Sequence, residues 1–358
     1  MHKATPLLAT HERLGARLVD FAGWQMPLQY TGVVAEHNAV RNSAGLFDVT
    51  HLGKLWVEGA GSLDALQRAC TADISGLEVG RATYALVLTD DAGCIDDIFV
   101  YRLGSDRFLV VPNAANVEAV AAAISSGGVT AEDIWDRYAI LALQGPGSGA
   151  VWDAVFPDTG ARDLALHEWA ECDFRGRPGL VARTGYTGER GFELYVPFPA
   201  APGIFEELMK AGAVPVGLGA RDTLRLEMAY ALYGHEITLD VNPLEARLGW
   251  AVAWDAPFRG RDALAKVKQE GPARRTFGVR CTDRGVPRQG FRVLRADELV
   301  GTVTSGNFSP TLGTGIALAL GPAGSTPAEG DAVAVEARGR RIAGVIVRPP
   351  FVTKGARP

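Results

Sequence analysis

Between Thr83 and Asn113 the sequence spells out three strands and two turns, and the middle strand carries two adjacent aspartates in an apolar run. Tyr84 to Thr89 reads as a strand, Asp90-Asp91-Ala92-Gly93 as a turn and Cys94 to Leu103 as a second strand. Gly104-Ser105-Asp106 is the next turn, and Arg107 to Val111 the third strand. This β-meander constrains the fold most, because it dictates what Asp96 and Asp97 face. Strand side chains alternate, so the two carboxylates point to opposite sides. Asp97 shares its face with Ile95, Phe99 and Tyr101, and Asp96 with Ile98 and Val100. An aspartate on an apolar face is costly unless something hydrogen-bonds to it. A loop at 90–93 sets Asp97 opposite Leu86 and Phe99 opposite Tyr84, and the next turn brings residue 112 or 113 beside Asp97. One face then holds a carboxylate framed by Tyr84, Leu86 and Phe99. Because aspartate is mostly exposed, at least one of the two is expected to face solvent.

Around the meander, residues 9–20 read as a short helix and Phe21 to Tyr30 as an aromatic, turn-like stretch. Val33 to Asn42 is helical, residues 53–58 alternate like a strand, and Ser62 is placed to cap Leu63 to Ala69. Asn113 opens a helix, Ala114 to Ser125, where a bare N-cap role accounts for it on pattern alone. Ala139 to Gln144 is a short buried strand, and Leu180 to Val196 a hairpin region around Gly185-Tyr186-Thr187-Gly188. Helices follow at Phe205 to Ala211 and about Ala220 to Tyr230. From about Thr276 short β-like runs recur at 277–281, 290–295, 299–305, 332–336 and 341–347, the pattern of a small antiparallel barrel or sandwich. The boundary falls in the polar stretch 262–275. The fold class is α+β, with antiparallel sheets and helices and a C-terminal β-barrel.

Several chemistries are excluded by composition and motif. Thirty-six basic side chains against 41 acidic ones, a net charge of −5, provide no global field for nucleic acid. No apolar run of about 18 residues predicts a membrane span, and the polar Met1 to Pro6 is no secretory signal, so a cytoplasmic protein is expected. The four cysteines are scattered without a C-x-x-C pair and the six histidines lack H-x-x-x-H spacing, so buried thiols and no metal are expected. There is no phosphate loop and no G-x-S-x-G elbow. Gly217-Leu218-Gly219 is a weak echo of a dinucleotide fingerprint, but Asp222 stands where the third glycine belongs, so no nucleotide is expected.

Two further sets of residues admit bland readings. Glu193 in Gly191-Phe192-Glu193-Leu194-Tyr195 fits an outward strand position, and Arg221, Arg225 and Glu227 fit a surface ion-pair ladder on one helix. Seven segments in order point further: Phe21-Ala22-Gly23-Trp24, Gly45-Leu46-Phe47-Asp48-Val49-Thr50-His51, Ile95-Asp96-Asp97, Leu141-Ala142-Leu143-Gln144-Gly145-Pro146, Gly185-Tyr186-Thr187-Gly188-Glu189, Ala220-Arg221-Asp222-Thr223-Leu224-Arg225-Leu226-Glu227 and Thr302-Val303-Thr304-Ser305-Gly306. From Pro6 to about Lys354 the chain resembles the T-protein family of the glycine cleavage system, the folate-dependent aminomethyltransferases.

The resemblance implies a folate-binding region over residues 1–262, built of two interleaved α+β subdomains, and a β-barrel over 275–354. It implies tetrahydrofolate as co-substrate, with no metal and no nucleotide, and a lipoylated H-protein as partner, with neither nucleic acid nor membrane. Asp97 is the implied catalytic acid, against the folate ring. Glu193 is implied to grip the aminopyrimidine end of the pterin, where one carboxylate accepts two N–H bonds. Tyr84, Val111, Asn113 and Tyr186 fall at pocket positions, Arg221 near the mouth, and Trp250 with Arg275 would complete the cleft. Arg183, Arg190, Arg221 and Arg225 form a cluster suited to an acidic lipoyl carrier. Leu52, Cys94 and Pro112 depart from the family's usual residues. Two rivals share the superfamily: a folate-dependent demethylase, and a non-catalytic folate-binding protein of iron–sulfur assembly. The second carries a cysteine motif where this chain has Arg183-Thr184-Gly185-Tyr186-Thr187-Gly188.

Overall fold

The computed structural model describes residues 2–157, 159–337 and 339–353. Lys354, the expected end of the C-terminal region, lies outside the described residues. The meander forms in the expected register, with Leu86 opposite Asp97 and Tyr84 opposite Phe99, and Phe99 opposite Val111 on the next strand. It makes three strands of a five-stranded sheet ordered Ala82–Leu88, Cys94–Gly104, Arg107–Val111, Leu55–Glu58, Ala131–Asp133.

Period-two alternation gives this sheet two apolar faces, and each buries a different core. Ile98, Val100 and Val110 pack outward against Leu66, Val120 and Ile124 of the helices Ser62–Ala69 and Val117–Ser125. Ala82, Tyr101, Leu109 and Val111 pack inward against a second sheet, on Phe47, Ile140, Ala142, Leu180 and Tyr195. That sheet has six strands, ordered Trp169–Asp173, Pro178–Ala182, Gly191–Pro197, Tyr138–Gln144, Gly45–Asp48, Val214–Val216. Its outer face carries Leu141, Leu143, Phe192 and Leu194, covered by Trp152 of helix Ser148–Val155 and by Phe205 and Leu208 of helix Ala201–Lys210. Two sheets therefore face each other, each backed by helices. Full burial of each such aliphatic or aromatic side chain contributes about 1.5–3 kcal/mol.

Residues 274–347 close into a six-stranded barrel, which removes the free edges a small sheet would expose. Phe277, Val279, Val293, Val303 and Val335 fill it. One of its strands, Thr314–Pro322, is not evident from sequence. Its Ala-Leu run carries no polar alternation because both faces are buried: Ala317 and Ala319 inside the barrel, Ile316 and Leu318 against Leu226.

The N-terminal expectations need correction. The first helix spans only Leu8–Arg13, because Gly15 adopts a φ of 71° and reverses the chain. Arg17–Phe21 and Trp24–Gln29 then pair as an antiparallel hairpin, so the stretch expected to be turn-like is mostly strand. Only Ala22 and Gly23 turn, both at positive φ. Ser62 caps nothing: the helix begins with it, Gly61 occupies the N-cap, and the buried Ser62 hydroxyl has no partner. The four cysteines are free and buried. Among the described residues no helix is long and apolar enough to cross a membrane.

Candidate active site

Along the inner face of the meander, the apolar surface changes owner. Ala82 and Tyr101 belong to the core between the sheets, whereas Leu86, Leu88 and Cys94 pack against Ile237, Val241, Leu248 and Phe258. Tyr84, Asp97 and Phe99 lie on the same face between these two cores and are only partly buried, and the surface they leave open is the candidate cleft.

Asp97 is half-buried there. The Tyr84 hydroxyl donates to its Oδ2 at 3.0 Å, and Asn113 Nδ2 donates to its Oδ1 at 2.8 Å. Asp96, on the other face, is fully buried and accepts from the Asn113 N–H at 2.9 Å, from Asn113 Nδ2 at 2.8 Å and from Asn116 Nδ2 at 2.8 Å. Asp96 is removed from solvent by the asparagine amides that satisfy it, and Asp97 keeps only partial exposure because Tyr84 and Asn113 hold it. The expectation that at least one of the two faces solvent is met only in part. The Asn113 side chain bridges both carboxylates, so it caps no helix. Burial and then the neighbouring Asp97 charge push the Asp96 carboxyl up to about 8, against the amide bonds that pull it down. Burial likewise holds Asp97 above the usual carboxylate range, opposed by Tyr84 and Asn113.

Aromatic rings wall the cleft. Trp250, 71% exposed, stacks on Tyr84 at 5.2 Å, and Phe99 meets the edge of His167 at 5.5 Å. Val111 is buried in the core between the sheets. From the opposite sheet, Glu193 points to the inner face that also carries Tyr195, and it is not an outward strand residue. The Thr184 hydroxyl donates to Glu193, and the Tyr101 hydroxyl lies 3.2 Å from Thr184 Oγ1. Burial raises the Glu193 carboxyl, opposed by Thr184 and by the charge of Arg221.

Tyr186 stands on the Gly185–Gly188 turn, which Gln144 ties down by accepting from Thr187 at 2.8 Å and donating to the Thr184 carbonyl at 3.1 Å. A Cβ at Gly185 would sit 2.1 Å from Gln144 Oε1, so this approach needs glycine. The Tyr186 hydroxyl donates to the Ala231 carbonyl, and its ring stacks on Tyr230 at 5.7 Å. Arg221, near the start of helix Leu218–Glu227, holds its guanidinium 4.7 Å above the Tyr186 ring. Among the described residues the guanidinium makes neither a hydrogen bond nor an ion pair. The charge of Asp97 reaches Tyr84 and Tyr186, and Arg221 lies near both Tyr186 and Glu193, so Tyr186 and Arg221 link the two carboxylates.

Other expected residues stand elsewhere. Arg275 is exposed on a barrel strand opposite Gly321, and among the described residues no hydrogen bond or ion pair joins it to the cleft. Arg225 and Glu227 form no surface ladder: both are buried, Arg225 on Glu236 and Ser305, Glu227 on Arg41, Ser309 and Thr311. Arg183 is buried as well, so the arginine cluster is not a continuous surface patch. His51 was given no role by the residue pattern, although it ends one of the seven segments. It is buried, with its edge against Phe21 at 5.3 Å and with Nδ1 unpartnered. Among the described residues no group of three or more histidine, cysteine or carboxylate side chains is arranged to hold a metal.

The fold defines a class of α+β protein in which two facing sheets, each backed by helices, carry inward carboxylates and aromatic rings, with a closed barrel packed alongside. Residues 7–256 match the model of the GCVT N-terminal domain, and residues 274–353 that of the glycine cleavage T-protein C-terminal barrel domain. An aminomethyltransferase of Mycobacterium avium is 46% identical over 355 residues, 97% of this chain and 96% of the relative. One from Halothermothrix orenii is 42% identical over 359 residues, 98% and 100% of the two chains. The crystal structure of glycine cleavage system aminomethyltransferase T from Bartonella henselae superposes with a TM-score of 0.91 at 36% identity, covering 99% of each chain. The chain belongs to the glycine cleavage T-protein family.

Proposed function

We propose that this chain is the aminomethyltransferase of glycine cleavage. It moves the methylene carbon of an aminomethyl group on the lipoyl arm of H-protein to tetrahydrofolate. The products are 5,10-methylenetetrahydrofolate, ammonia and the dihydrolipoyl carrier. One observation carries this reading: Asp97 and Glu193 come from two facing sheets, and Tyr186 with the unpaired Arg221 guanidinium above its ring lies near both.

That donor set fits a reduced pterin. Glu193 accepts two bonds from the amidine-like N–H pair of the aminopyrimidine, and the rings of Tyr84, Trp250 and Tyr186 cover a flat heterocycle. Tetrahydrofolate supplies the nitrogens that receive the carbon. The protein excludes water, orients those nitrogens and stabilises the positive charge that develops as the carbon–sulfur bond opens. Asp97, ionised, is the counter-charge. Burial raises its proton affinity above that of a free carboxylate, the direction that suits proton exchange with an amine. Tyr84 and Asn113 hold the carboxylate in place. In this reading residues 1–262 form the catalytic region and the barrel from residue 275 supports it.

Asp97→Asn tests the assignment, because the amide keeps the shape and removes the charge. Formation of methylenetetrahydrofolate from aminomethylated H-protein is expected to fall about a hundredfold or more, with reduced-folate affinity kept. Unchanged turnover would take Asp97 out of the mechanism. Folate binding by the wild-type protein without any product would favour a binding scaffold instead.

A further inference from the structure

Beside the cleft lies a second concavity of about 150 Å³ that the proposed reaction leaves without a role. Arg183, Arg190, His167, Thr184, Glu189 and Tyr230 line it. Arg183 is 5% exposed and its guanidinium makes one hydrogen bond, from Nη1 to the Leu164 carbonyl at 3.1 Å. Among the described residues no carboxylate pairs with it. Its charged neighbour is another cation, Arg190. The nearby acids are already engaged, Glu189 by Arg41 at 2.9 Å and Glu168 by Arg81 at 2.8 Å. A buried cation without a counter-ion is costly, and an anion entering the pocket would relieve that cost.

The pocket is continuous with the cleft through three shared side chains. Thr184 also donates to Glu193, Tyr230 also stacks on Tyr186, and His167 also meets Phe99. We propose that it is a carboxylate-binding subsite, in which Arg183 and Arg190 hold a carboxylate of a ligand that also engages the cleft. This rests on the function proposed above, whose two ligands offer carboxylates from two sources. One is the γ-glutamyl tail of a folate polyglutamate, and the other an acidic side chain of the lipoyl carrier. The planar guanidinium fork matches either one.

The test compares the wild-type chain with Arg183→Gln and Arg190→Gln. Arg190 is exposed, so its variant keeps the test valid should Arg183→Gln not fold. The probes are tetrahydrofolate monoglutamate, tetrahydrofolate triglutamate, aminomethylated H-protein, and a tri-γ-glutamate peptide without its pterin. A tail site predicts about tenfold weaker triglutamate and peptide binding in the variants, with monoglutamate unchanged. A carrier site predicts about a tenfold rise in KM for H-protein, with kcat unchanged and the effect shrinking at high salt. The peptide titration does not depend on folate chemistry, so it separates failure of this subsite from failure of the proposed function. If no probe distinguishes a folded variant from wild type, the subsite is overturned.

Discussion

His51 is an imidazole that the fold keeps neutral. Burial, and then the positive charge of Arg221, push its pKa down from 6.5 to about 3, while the Asp48 charge works the other way. The consequence has a definite sign. In the unfolded chain this side chain takes up a proton below about pH 6.5, whereas in the folded protein it resists until about pH 3. Its share of stability is therefore complete above pH 6.5 and is lost as the pH falls through that window. Between pH 7 and pH 5 the loss is about 2 kcal/mol, at 1.36 kcal/mol per pH unit for one proton. Urea unfolding of wild type and His51→Leu at the two pH values isolates this term, because the other titrating groups cancel in the difference. Equal pH slopes for the two proteins would contradict it.

Where the helices start matters as much as what they carry. Glu36, buried in helix Val33–Asn42, accepts with Oε1 from the N–H groups of Tyr30, Thr31 and Gly32, and with Oε2 from Gly217 at 2.8 Å. One carboxylate thus joins the entry of its own helix to the entry of the helix that carries Arg221. Glu36→Ala leaves four N–H groups without this acceptor, and a loss of about 3–5 kcal/mol is expected in denaturant unfolding. A loss below about 1 kcal/mol would mean that water replaces the carboxylate at little cost. No local pattern announces this role, because Gly217 lies 181 residues away. The same limit explains other gaps between sequence and structure. The meander register and the Asp97–Tyr84 contact were legible because loop length and alternation are local quantities. The Arg17–Gln29 hairpin was hidden by a two-residue turn whose first member is alanine, not the usual asparagine or glycine. Arg225 and Glu227 read as a surface ladder because the groups that bury them arrive from the barrel. Glu193 needed the second sheet before its inward direction was evident.

The barrel meets the two-sheet body through apolar surface and through hydrogen bonds to ion pairs buried in the body. Glu227 accepts from Arg41 Nη2 at 2.8 Å, from the Ser309 hydroxyl, and from the N–H and hydroxyl of Thr311 at 3.1 and 2.8 Å. His37 lies 3.3 Å from the same carboxylate and 2.8 Å from Thr223 Oγ1. Arg225, two residues earlier, reaches Glu236 at 3.2 Å and Ser305 at 2.8 Å, so one helix turn carries two links to the barrel. That helix also carries Arg221, and the barrel therefore bears on the cleft without lining it. Burial alone would raise the Glu227 carboxyl, but the bonds and charges of His37, Ser309 and Arg41 outweigh it and hold the pKa down to about 2. A lowered carboxylate contributes stability above its unfolded value of 4.5 and loses it as the pH falls toward 2. Glu227→Gln removes the charge and leaves Arg41 sharing only Glu189. At pH 7 it is expected to cost about 3 kcal/mol, within the range for breaking a buried pair. At pH 3.5 the difference from wild type should be smaller, because the unfolded wild-type chain then binds the proton. The same variant should bind reduced folate more weakly, although Glu227 is not among the residues that border the cleft. A stability difference that stays constant between the two pH values would show that the charge of Glu227 is not what joins barrel to body.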